Sequence, residues 1–93
     1  MSEPLFSLGK IVATPAVLLV ITDANQSPSE FLDRHARGDW GEANHHDRVE
    51  NEVAYLAQDR RIVSYYKTRL NERIWIITEA DRSVTTILLP SEY

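Results

Sequence analysis

Two β-rich runs only five residues apart constrain this chain more than anything else in it. Arg73 to Thr78 and Val84 to Leu89 are dense in β-branched and aromatic residues, and the link between them, Glu79 to Ser83, holds three charges. Such a stretch closes as strand, turn, strand. Upstream, a period of two runs from Arg61 to Thr68, with Arg69 to Glu72 as the turn, so three antiparallel strands in a meander are expected. Ile74 and Ile76 fall on one face of the middle strand and Trp75 and Ile77 on the other; the last strand offers Val84, Thr86 and Leu88 against Thr85, Ile87 and Leu89. Both faces of the sheet are therefore largely apolar. A chain of 93 residues buries roughly 60–65% of its unfolded surface in one modest core, which leaves little material for a second cover. Either an N-terminal strand and helix wrap behind the sheet, or one face is a contact surface.

The first half reads as helical. Leu8 to Ala13 fits a short strand. Thr14-Pro15 then has the form of an N-cap followed by proline at the first helical position, where its missing N–H costs nothing. The apolar run Ala16 to Ile21 is compatible with a helix or a buried strand by periodicity alone, and the Thr-Pro start selects a helix to about Ala24. Ser27-Pro28-Ser29-Glu30 is a capping-box pattern opening a second helix with Phe31, Leu32, His35 and Ala36 on one face, stopped by Gly38. Asp47-Arg48-Val49-Glu50 is a second capping-box candidate. Behind it, Val49, Val53 and Leu56 recur at helical spacing as an amphipathic stripe, and this third helix is expected to end near Gln58. The fold class expected is α+β: a short N-terminal strand, about three helices, then a C-terminal antiparallel three-stranded β-meander. Residues 1–93 form one domain, with residues 1–7 expected to be loose.

Composition removes several classes of function. The absence of cysteine rules out disulfides and thiolate metal sites. Met1 to Lys10 lacks the form of a secretory signal, and the longest apolar run is far too short to span a bilayer, so a soluble, cytoplasmic protein is expected. The net charge of −4 argues against avid non-specific nucleic-acid binding. It conceals an asymmetry. Asp23 to Asp59 holds nine acidic side chains against three arginines, whereas Arg60 to Arg73 holds five basic side chains against Glu72 alone. Such blocks are usually solvated or paired surface.

Few residues are candidates for chemistry. His35 lies between Arg34 and Arg37, and a histidine beside arginines can move protons and steady a phosphate in an RNA-cleaving site, with Arg82 and Glu79 as a second cation and a base. The plainer account of a helix-face histidine beside Phe31 and Leu32 is a hydrogen-bonded packing residue. His45-His46-Asp47 matches no zinc spacing and reads better as a loop capping the next helix. Glu79, Asp81 and Arg82 either build a turn or form a recognition tip. Trp40 and Trp75 read as core or rim packing. Tyr65 and Tyr66 point to opposite faces of one strand, so at least one is expected to be exposed and, with Arg60, Arg61, Lys67 and Arg69, able to stack on single-stranded nucleic acid.

Several of these motifs together resemble a known family. Phe31-Leu32, Arg34-His35, Gly38-Asp39-Trp40-Gly41, Asn51-Glu52, Trp75 to Ser83, Thr85-Thr86 and Leu88-Leu89-Pro90 are similar to short bacterial proteins usually named hypothetical or plasmid-related protein. The resemblance spans Gly9 to Tyr93 and departs at Asn71-Glu72-Arg73, where a Gly-Thr pair is usual. It implies a bacterial, mobile-element setting and brings no activity with it. The function expected is that of a small non-enzymatic accessory protein binding another macromolecule, a protein partner or a second copy, through Trp40, Tyr65, Trp75, Glu79, Asp81 and Arg82. No cofactor, metal or membrane contact is called for, and nucleic acid is a weaker partner. The competing expectation is a toxin-like endoribonuclease using His35 with Arg34, Arg82 and Glu79.

Overall fold

A computed structural model describes residues 3–93. It has the α+β architecture expected, with three helices and a four-stranded, mostly antiparallel sheet. Strand β1 (Lys10–Ala13) leads into helices α1 (Pro15–Asp23), α2 (Pro28–Ala36) and α3 (His45–Ala57). The meander β2 (Ile62–Lys67), β3 (Arg73–Thr78) and β4 (Val84–Leu88) follows, and a 3-10 turn covers Pro90–Glu92. The sheet order is β1-β4-β3-β2. The N-terminal strand does not wrap behind the sheet. It extends it, running parallel to β4 with Ile11 beside Thr85 and Ala13 beside Ile87.

The helix starts follow from their caps. Thr14 Oγ1 accepts the Val17 N–H at 3.1 Å, with Pro15 next. Ser27 Oγ accepts from the Ser29 N–H at 3.3 Å instead of from Glu30, whose carboxylate takes the Gln26 amide, so Ser27 is a simple N-cap and the capping box does not form. The third helix starts three residues earlier than its sequence pattern suggests. Asn44, not Asp47, is the cap, and Asn44 Oδ1 accepts the Asp47 N–H at 2.8 Å. Gly38, at φ 85°, ends α2 where a left-handed residue is needed.

Two clusters make the core. On the inner face, Val17 and Ile21 of α1 and Phe31 of α2 pack on Tyr66, Ile74, Ile76 and Ile87. Each such side chain contributes about 1.5–3 kcal/mol by burial. A second cluster gathers Phe6, Trp40, Ala43, Ala54 and Ile62 under the β2 edge. The segment expected to be loose through residue 7 is thus docked from Leu5 onward: the Leu5 N–H donates to Ala36 O at 2.8 Å, and Phe6 is buried. Met1 and Ser2 lie outside the described residues.

Helix α3 departs most from the sequence pattern. Val49, Val53 and Leu56 point to solvent, Leu56 being 73% exposed, while Asn51 and Ala54 are buried. The reason lies in the sheet edge. Strand β2 has no strand on its outer side, and its outward N–H and C=O groups need partners. The Asn51 side-chain amide supplies them like a peptide group, donating to Val63 O at 2.7 Å and accepting from the Val63 N–H at 3.1 Å. Two residues along, the Tyr65 N–H donates to Trp40 O and Tyr65 O accepts from the Glu42 N–H. Gly41 sits against Tyr65 O so closely that a Cβ there would collide with it. Ala54 lets the helix come close, and the apolar stripe is turned away.

Candidate functional site

The inner and outer faces of the sheet are unequally covered. Helices α1 and α2 and the N-terminal segment occupy the inner side. The outer side carries Val63, Tyr65, Trp75, Ile77, Val84, Thr86 and Leu88; the Pro90–Glu92 turn and Tyr93 lie against it, Ile77 and Leu88 are buried, and the other five are half-buried. Three aromatic rings run in a row across it. Tyr65 meets Trp75 edge-on with centroids 5.4 Å apart, and Trp75 meets Tyr93 at 5.4 Å. The Arg61 guanidinium lies 5.5 Å from the Tyr93 ring centre and donates to its hydroxyl. That contact raises the Arg61 pKa further. The partly buried Tyr65 hydroxyl is also held above its ordinary pKa, first by burial and then by Asp47. At the other end of the row, Glu42, Ala43, Asn44, Asp47 and Arg73 join Tyr65 and Trp75 around an open cleft of about 300 Å³. Arg73 is exposed and, unlike Lys67, which pairs with Glu42 at 3.5 Å, makes no salt bridge among the described residues.

His35 lies on the inner side, fully buried. Its Nδ1 is 2.6 Å from Ser64 Oγ and its Nε2 2.9 Å from Thr78 Oγ1; Thr78 Oγ1 is 2.7 Å from Thr85 Oγ1, and the Thr85 hydroxyl donates to Leu8 O at 2.6 Å. A backbone carbonyl can only accept, so it orients the whole chain. Thr85 donates to Leu8, Thr78 to Thr85, His35 Nε2–H to Thr78, and Ser64 to the unprotonated Nδ1. Neutral histidine satisfies every group in the row. Phe6 at 5.3 Å and Trp40 at 6.1 Å wall the ring in. Burial pushes the His35 pKa down to about 3. No solvent-facing atom remains for acid–base work.

The two arginines named with His35 are also engaged. Arg34 Nε donates to Asp39 at 2.7 Å, its guanidinium stacks 4.5 Å from the Tyr66 ring centre, and this hydrogen bond holds Asp39 below the usual carboxylate range. The Arg82 guanidinium lies 5.9 Å from the centre of the Phe6 ring. It donates to the carbonyls of Arg60, Glu79, Ala80 and Ala54, between 2.8 and 3.1 Å. It therefore clamps the β3–β4 turn, the α3–β2 loop and the last turn of α3, where carbonyl dipoles favour a cation. Asp81 Oδ1 takes the Ser83 N–H at 3.0 Å, so this stretch is built as a turn. The Glu79 carboxylate takes part in none of these contacts, and its backbone closes the hairpin on Val84.

Of the six residues expected to bind, the fold brings Tyr65 and Trp75 together. Glu79, Asp81 and Arg82 sit at the hairpin turn, and Trp40 is interior. Arg61, Arg73 and Tyr93 complete the outer row and were not singled out as a set, because nothing in local spacing joins residues 61, 75 and 93. Ser64 was not singled out, although it interrupts the inward alternation of Ile62 and Tyr66 and, once buried, needs a polar partner. His45 and His46 are exposed on the first turn of α3, His46 lying 3.8 Å from Glu50. Among the described residues no group of three acidic or imidazole side chains could hold a metal, and no helix is long and apolar enough to cross a membrane. The chain matches no family model, and neither a curated protein nor a solved structure is significantly similar to it.

Proposed function

We propose that this chain is a non-enzymatic binding protein that docks another protein on the outer face of its sheet. The observation that carries the reading is the Tyr65–Trp75–Tyr93 row, flanked by Arg61 and Arg73 and covered by a single 3-10 turn. Tyrosine, tryptophan and arginine are the residues that dominate protein interfaces, because rigid rings bury much area at little entropic cost and arginine pairs with acidic partners in a planar geometry. A partner with an apolar centre and acidic rim fits this face. The family resemblance supports a bacterial setting linked to mobile elements. The endoribonuclease reading draws no support from a sealed His35 and an Arg82 already bound to four carbonyls.

The test is site-specific crosslinking in bacterial cells, with benzoylphenylalanine in place of Tyr65 and, as control, in place of the exposed Leu19 on α1. A discrete protein adduct is expected from position 65, absent from position 19 and lost when Arg73→Glu is added. An RNA adduct at position 65, or identical adducts at both positions, would overturn the reading.

A further inference from the structure

We infer that the free edge of β1 pairs antiparallel with β1 of a second copy, joining two four-stranded sheets into one of eight strands. This inference concerns a different surface from the aromatic row and does not depend on it.

The two edges of the sheet are treated differently. The β2 edge is closed by Asn51 and by the backbone of residues 40–42. The β1 edge has no such cover among the described residues. The Lys10 N–H donates to Ser83 O and the Thr14 N–H to Ile87 O, so residues 10, 12 and 14 turn their backbone groups toward β4. Strand alternation then directs the N–H and C=O of Ile11 and Ala13 away from the sheet. Side chains add to the exposure: Ile11 is 49% exposed and Val12 40%. An open edge of this kind, without a blocking charge or proline at its centre, is a template for another strand.

The occupant is argued from the symmetry and charge of the edge. A two-fold axis through Val12 sets Ile11 opposite Ala13 of the second copy, and the reverse, giving about four inter-chain backbone hydrogen bonds. Val12 then meets its own equivalent on the outer face, and Ile11 finds a small residue across from it on the inner face. Lys10 falls opposite Thr14 of the second copy, so no like charges meet. Helix α1 lies against β4, one strand in from the edge. Leu18, 40% exposed, leaves α1 on the flank away from the core-packed Val20, so the second copy's α1 has an apolar surface to face. A foreign extended peptide would cover the backbone groups and leave that flank bare. The four-residue edge makes a small interface, at the low end of the range for stable complexes, so association is expected at high micromolar concentration.

Sedimentation velocity over a concentration series up to about 0.5 mM tests this. The wild-type mass is expected to rise from that of one chain, 10.7 kDa, toward twice that value. Ile11→Pro removes an outward N–H while leaving the bonds to β4 in place, and should remain at the mass of one chain throughout. Circular dichroism at low concentration checks that this variant keeps its fold. Amide exchange then locates the contact without any variant: the Ile11 and Ala13 amides should exchange about two- to fourfold more slowly at the top of the series than at the bottom, as the monomer fraction falls. A wild-type protein that stays at one chain mass would overturn the inference. So would dimerisation with no slowing at Ile11 and Ala13, which would place the contact on another surface.

Discussion

His35 shows how a residue type associated with catalysis can be used for order alone. Its ring stands second in a row of five polar groups whose directions all follow from one carbonyl, and it is neutral because the interior cannot solvate its charge. The pH consequence has a definite sign. The folded pKa, about 3, lies below the unfolded value of 6.5, so the unfolded chain takes up the proton first. This contribution to stability is whole above pH 6.5 and is lost as pH falls toward 3, by up to about 1.4 kcal/mol per pH unit. Urea unfolding at several pH values should show that slope in the wild type, and His35→Gln should flatten it. Arg82 is the second case. Lysine cannot reproduce a planar fork reaching four carbonyls in three segments. Arg82→Lys is therefore expected to cost about 2 kcal/mol, lowering the melting temperature by roughly 10 °C in a thermal scan.

At the scale of elements, α3 is oriented by a hydrogen-bonding need against its own hydrophobic pattern. Asn51 gives β2 two backbone-like bonds, and leaving the Val63 groups bare would cost about 1–3 kcal/mol. Two outcomes separate this arrangement from a helix packed by its stripe. Val53→Glu with Leu56→Glu should change unfolding free energy by no more than about 0.5 kcal/mol, as substitutions at exposed sites do. Asn51→Ala should cost about 2 kcal/mol and speed hydrogen exchange at the Val63 amide. The meander behaves differently, because β2, β3 and β4 are linked by short turns whose geometry is local. There the sequence marks the elements to within a residue: β3 is Arg73–Thr78 as read, and β2 and β4 are each shorter by a residue at one or both ends.

For the whole molecule, the distribution of cover explains both the stability and the exposed surfaces. The inner face is sealed by α1, α2 and residues 5–8, the β2 edge by α3 and residues 40–42, while the outer face is only partly covered and the β1 edge stays open. Opening should follow that order. In dilute solution, amide exchange is expected to be slowest in β3 and β4, which have neighbours on both sides, and fastest among the strands in β1. By itself the sequence determined what depends on near neighbours: the helix-starting residues Thr14 and Ser27, the stop at Gly38, the three-strand meander, the opposed faces of Tyr65 and Tyr66, and a sheet apolar on both sides. Those features rest on steric and hydrogen-bonding preferences spanning a few residues. Tertiary structure decided the rest: which face the helices took, which side of α3 turned inward, that β1 joined β4 in parallel, and that His35 met Ser64 and Thr78 from 29 and 43 residues away. Each of these depends on pairing buried polar groups across long separations, and no local pattern records the partner.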